Sequence, residues 1–173
     1  MNIAKYEEFR SNFNVLAIND LIKKTELLDQ IKNKGILLND KRFNNMCYDL
    51  PDEINYEIFY NLVSSNTIIF NKIFDNDLII PNWKQFQADI EEIYLQTKDY
   101  ESGKVADYIP QLAKVSGDLY GLSICTIDGQ QLELGDTNIP FCVQSCSKPI
   151  TYLIATHLKD PDYVQNFIGR EPS

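Results

Sequence analysis

A chain of 173 residues and 20.0 kDa is long enough for one domain, or for a small domain and part of a second. Its 16 Lys and Arg against 25 Asp and Glu leave a net charge of −9, which argues against nucleic acid or an anionic membrane surface as partner, since each demands a basic patch. An apolar fraction of 44% with 12% aromatics excludes disorder, and no apolar run approaches the length of a membrane span.

Taken in chain order, the opening residues MNIAKYEEFRSN lack the apolar core of a secretory signal. They also lack the basic, acid-poor character of a mitochondrial presequence. Residues 1–100 read as an all-α module, with 1–20 loosely ordered. Leu21, Ile22, Leu27, Leu28 and Ile31 recur at helical spacing, and Gly35 supplies a stop. A second helix is expected after Asn39-Asp40, holding Phe43, Met46 and Cys47. Pro51, Asp52 and Glu53 are expected to open a third, with Ile54, Ile58, Phe59 and Leu62 on one face. Ile68, Ile69, Phe70 and Ile73 mark a fourth. Trp83, Phe86, Ile90, Ile93 and Tyr94, after Pro81, mark a fifth.

This pairing of helices across loops is EF-hand-like, so calcium has to be weighed. Asp75, Asn76 and Asp77 offer oxygen ligands, but a calcium loop also needs a glycine at its sixth position and a glutamate at its twelfth. Counted from Asp75, those positions hold Ile80 and Phe86. The expectation is a structural loop and no metal.

A polar linker around Thr97–Gly103 precedes the second part, 101–173. GLSICTI alternates and is β-branched, QLELG follows it, and Asp128-Gly129 between them is a strong hairpin signal. Then comes GDTNIPFCVQSCSK, residues 135–148, in which Ser145 and Lys148 stand three apart. Pro149 fits the first turn of a helix, and Ile150, Tyr152, Leu153 and Ile154 continue it. Positions i and i+3 share a helix face, so an amine is delivered beside a hydroxyl. That is the least machinery for an activated serine nucleophile without histidine. The positive end of a helix favours the free amine that a base requires, and its N–H groups are suited to an oxyanion. On spacing alone the plainer reading also stands: a serine N-cap followed by a solvated lysine.

The four cysteines, Cys47, Cys125, Cys142 and Cys146, show no CxxC pairing. Cys142 and Cys146 are four apart, but His157, the only histidine, is a poor metal partner for them. Reduced thiols and an intracellular compartment are the better reading. His157 itself reads as a helix-end residue.

The stretch GDTNIPFCVQSCSKPITYLIA closely resembles the active-site segment of the kidney/liver-type glutaminases. These belong to the serine-dependent glutaminase family, whose catalytic domain is similar to β-lactamases and DD-peptidases. GKVADYIPQLAKVSGDLYGLSICTIDGQ before it (103–130) and DYVQNFIGREPS after it (162–173) are similar to the same domain. The stretch from about Leu28 through WKQFQADIEEIY resembles the helical region preceding it in the animal enzymes.

The resemblance implies an α+β chain: an EF-hand-like helical module, then the start of a β-lactamase-like α/β domain. It implies a glutaminase that hydrolyses L-glutamine to L-glutamate and ammonia, with no cofactor, as a homo-oligomer (dimer or tetramer). Ser145 would be the nucleophile and Lys148 its base, with Tyr108 and Gln144 lining the glutamine site. By themselves Tyr108 reads as a half-buried aromatic beside a proline turn and Gln144 as a surface polar residue. The animal relatives being mostly mitochondrial, that compartment is implied, with the cytosol as the alternative. Two strands and one helix after residue 118 make no independently stable sheet domain. The expectation is therefore a part of a longer enzyme, inactive alone. The alternative is a truncated, non-catalytic regulatory or assembly subunit that co-oligomerises with a full-length glutaminase.

Overall fold

The computed structural model describes Glu7, residues 9–43 and residues 45–168, and these are mixed helix and sheet. The elements in order are α1 (Arg10–Leu16), β1 (Ile22–Lys23), α2 (Lys24–Lys32), β2 (Glu53–Ile54), α3 (Tyr56–Ser65), α4 (Thr67–Phe74), α5 (Trp83–Thr97), β3 (Gly121–Cys125), β4 (Gln131–Gly135), α6 (Ser147–Leu158) and α7 (Pro161–Gln165). They divide into two compact units. One holds the described residues up to Lys104 with Ser116–Thr137; the other holds Val105–Val115 and the described residues from Asn138 onward.

Phe9, Phe13 and Leu16 are buried in the core of the first unit, so the chain is packed from residue 9 on, where loose order was expected. The expectations for 1–6, for Glu8 and for GREPS at 169–173 lie outside the described residues. The core gathers Phe13, Leu27, Ile31, Phe59, Leu62, Val63, Phe70 and Ile73 from all four helices α1–α4, with Ile22 and Ile54 from the two short strands and Phe43 from the turn between them. Each such aliphatic or aromatic side chain contributes about 1.5–3 kcal/mol when taken from water.

Asparagines set the helix starts. Asn55, Asn66 and Asn82 each accept, through the side chain, the N–H three residues on (Ile58, Ile69 and Gln85), satisfying donors that the first helical turn leaves unpaired. Asn55 also explains a correction: α3 starts at Tyr56, and Glu53–Ile54 pair instead with Ile22–Lys23 as a two-residue antiparallel ladder. That pairing takes Leu21 and Ile22 out of the helical run too, and α2 starts at Lys24. The helix expected around Phe43–Cys47 is a 3-10 turn, Lys41–Phe43, followed by turns. Asp40 there accepts the backbone N–H of Arg42 through its side chain, and Asn45 takes a left-handed φ of 63°, which no α-helix continues through.

Gly35 ends α2 as the pattern required. Its φ is +79°, its N–H reaches Lys32 O at 2.8 Å and that of Ile36 reaches Ile31 O at 3.4 Å, the two bonds of a Schellman cap. A Cβ at this position would collide with the indole of buried Trp83. Gly35→Ala is therefore expected to lower stability by about 2 kcal/mol or more, read as a drop in the denaturant midpoint. An unchanged midpoint would contradict this packing.

In the loop after α4, Asn76 accepts a hydrogen bond from the Lys34 ammonium, and Asp75 closes the helix. Among the described residues no group of three or more His, Cys, Asp or Glu is placed to hold a metal ion, and no helix is long and apolar enough to cross a membrane. β3 and β4 form the expected hairpin, in register from Gly121↔Gly135 to Cys125↔Gln131, with Gly129 at φ +87° in the turn. At its base Tyr120 stacks on Tyr94 of α5 at 5.2 Å.

Candidate active site

The second unit carries all the candidate residues. Pro110 ends a polar stretch and Leu112–Lys114 form a 3-10 turn that buries Leu112. Tyr108 stands just before it, 70% exposed. The later segment runs through Phe141–Val143 into a 3-10 turn, Gln144–Cys146, and directly into α6. Pro149 is the third residue of α6, where its missing N–H leaves no helical bond unmade.

Ser145 thus sits in the tight turn that feeds the helix, and Lys148 is the second residue of the helix. The turn is held from several directions. Cys146 N–H reaches Val143 O at 3.1 Å, and the Ser147 hydroxyl donates to Gln144 O at 2.7 Å. Gln144 takes a φ of 45°. A left-handed φ on a non-glycine residue costs on the order of 1 kcal/mol, so the conformation must be held by its bonds. One of them is supplied across the unit: the Tyr108 hydroxyl donates to Gln144 Oε1.

The structure therefore brings Tyr108 and Gln144 together, next to Ser145. Ser145 and Lys148 lie three residues apart across the turn-to-helix junction, both exposed, and among the described residues no hydrogen bond joins them. The left-handed Gln144 and the Ser147 bond were not read from the sequence. Glutamine is not a usual residue for that region of φ, and a serine hydroxyl bonded to a carbonyl three residues back leaves no spacing signal.

None of the residues of α6 is buried. Ile150, Leu153, Ile154 and Leu158 are all more than half exposed, and Tyr152 is 41% exposed. α7 meets α6 through Gln165, whose amide donates to the Tyr152 hydroxyl at 2.7 Å. His157 is in the last turn of α6, where a helix-end residue was expected.

Residues 103–173, which take in this whole unit and the Ser116–Thr137 segment of the first, match the family model Glutaminase. The chain is 45% identical over 117 residues to "Glutaminase liver isoform, mitochondrial" of Rattus norvegicus. It is 39% identical over 117 residues to "Putative glutaminase 2" of Caenorhabditis elegans, and 43% identical over 91 residues to "Glutaminase" of Rhizobium meliloti. The chain belongs to the glutaminase family. The match takes in 68% of this chain but 19% of the rat and worm glutaminases, and 52% and 29% for the bacterial one. The chain thus spans about a fifth of the length of its animal relatives.

The thiols differ sharply in setting. Burial pushes the Cys47 thiol up to about 11, whereas Cys125, Cys142 and Cys146 are exposed. Thiolate is the reactive form, so a thiol reagent is expected to consume Cys125, Cys142 and Cys146 in the native protein and Cys47 only after unfolding. Prompt labelling of Cys47 in the native state would contradict the burial.

Proposed function

We propose that this chain carries the nucleophile segment of a glutaminase that hydrolyses L-glutamine to L-glutamate and ammonia through a serine–lysine acyl-enzyme. The observation that carries the reading is Ser145, placed in the turn feeding α6, with Lys148 one helical step on and the Tyr108–Gln144 pair beside it. Lys148 takes the proton of the Ser145 hydroxyl as its oxygen attacks the side-chain amide carbon of glutamine. The tetrahedral centre collapses, ammonia leaves with that proton, and a γ-glutamyl ester remains on Ser145. Water, deprotonated in the same way, then hydrolyses the ester to glutamate. No metal or organic cofactor enters these steps. Tyr108 and Gln144 are placed to line the substrate.

We also propose that the 173-residue chain alone does not turn over. Both members of the pair face water and are not linked, and a lysine serves as base only where water is shielded from it. A helix apolar around most of its girth, as α6 is, belongs to a core, and covering it would also close the site. We place the working enzyme as a homo-oligomer inside the cell, in mitochondria like the rat liver isoform.

The test is an ammonia-release assay on the 173-residue chain and on a chimera in which residues 103–173 replace the matching segment of the rat glutaminase. Activity is expected from the chimera and none from the chain. Turnover by the chain that disappears in Ser145→Ala would overturn the inactivity and keep the mechanism; turnover by the chimera that survives it would overturn the mechanism.

A further inference from the structure

Two polar residues at the tip of the β3–β4 hairpin are buried, while the apolar Ile127 between the strands is 90% exposed. Gln130 is 0% exposed and Asp128 7%, although a hairpin turn needs neither side chain inside. Every hydrogen-bonding group of Gln130 is engaged. Its amide nitrogen donates to Ile80 O and to Lys34 O, both at 2.9 Å, and its amide oxygen accepts the Ile80 N–H at 3.1 Å. The side chain thus pairs with both main-chain groups of Ile80, as a neighbouring strand would. Asp128 accepts the Lys72 ammonium at 2.6 Å on one oxygen and the Ile79 N–H at 2.8 Å on the other. Its main-chain carbonyl accepts Arg42 Nη2 at 2.7 Å, and Asp40 holds that guanidinium from behind at 2.9 and 2.6 Å. Between the two, Gly129 is read by shape: with φ +87° and the guanidinium against it, a Cβ would collide. The Gln131 N–H completes the set on Gly35 O at 2.8 Å.

We propose that the loop 34–42 and the segment 72–80, which is the end of α4 and the loop after it, form a binding socket for an acidic β-turn of the form Asp-Gly-Gln, and that its resident ligand is the tip of the chain's own hairpin. One cation, two N–H groups and two carbonyls match one carboxylate and one primary amide, while a second cation, Arg42, holds the Asp128 main-chain carbonyl, and a fully satisfied polar network of this kind specifies one partner more than it adds stability. The Lys72 ammonium and the Ile79 N–H hold the Asp128 carboxyl below its ordinary range, so it is ionised at neutral pH and the charge match is present. This gives the helical module a recognition role that is independent of the chemistry at Ser145.

The test uses the full 173-residue chain. In Asp128→Ala/Gln130→Ala the socket is vacated, and a backbone-cyclised peptide carrying residues 121–135 is titrated in by calorimetry. Binding to this variant is expected, with none to the wild type, where the tethered tip occupies the socket at high effective concentration. A peptide with Asn at the Asp128 position is expected to bind at least tenfold more weakly. If the double variant does not fold, hydrogen exchange of the wild type against Lys72→Met decides. The Ile79, Ile80 and Gln131 amides are then expected to be protected in the wild type and to exchange about ten- to a hundredfold faster in the variant. No binding to a folded double variant, or loop-like exchange of those amides in the wild type, would overturn the socket.

Discussion

Replacing Ser145 by alanine in the chimera that carries residues 103–173 is expected to reduce glutamine turnover by about a thousandfold or more, to the background of the assay. Lys148→Ala is expected to do the same, because without a base the hydroxyl stays a poor nucleophile. Lys148→Arg restores the charge and not the function, since a guanidinium does not give up its proton near neutral pH. The double substitution should be no worse than either single one. Groups that act as one unit in a single step are lost together, so their effects do not add. Additive losses would mean that Lys148 binds substrate independently of Ser145, and the base role would then fail. Tyr108→Phe separates positioning from chemistry: it removes the hydroxyl that holds Gln144 Oε1 in the turn before Ser145, and is expected to weaken turnover far less than either alanine variant.

Phe59→Ala is expected to cost about 3–5 kcal/mol, a large share of a typical domain stability of about 5–15 kcal/mol. Phe59 is fully buried on α3, and its ring lies 5.5 Å from Phe13 of α1 and 5.8 Å from Phe74 of α4. Truncation would leave a hollow between three helices that already share edge and tilted ring contacts. Ile68, next to buried Ile69 on α4 but itself 74% exposed, is the control: Ile68→Ala should change stability by no more than about 0.5 kcal/mol. Urea unfolding followed by circular dichroism reads both. Similar midpoints for the two variants would place the core elsewhere than on the Phe59 face.

Helical periodicity made α2, α3 and α4 legible, since their buried residues (Leu27, Ile31, Phe59, Leu62, Phe70, Ile73) fall on the spacing that a core face demands; the same spacing located α5, of which only Trp83 is buried. The Asp128-Gly129 turn made the hairpin legible in the same local way. What was not legible depends on partners far apart in the chain. Ile22 and Ile54 look like helix positions until each is seen to pair with the other. Nothing near Gln130 in sequence indicates that its amide is matched to Ile80, fifty residues earlier. At the candidate site the positions of Ser145 and Lys148 at a helix start were readable from Pro149 and the apolar run after it. The contact of Tyr108 with Gln144 is a long-range event that no local pattern signals; the two residues were singled out only through the family resemblance, and their hydrogen bond is seen in the fold alone.

The measurement that bears most directly on the serine–lysine reading is rapid-quench mass spectrometry of the chimera mixed with L-glutamine at saturating concentration. The expected result is a transient γ-glutamyl adduct on the peptide containing Ser145, absent in Ser145→Ala and undetectable in Lys148→Ala. Full turnover with no adduct at any quench time, or an adduct on Cys142 or Cys146 in place of Ser145, would contradict it.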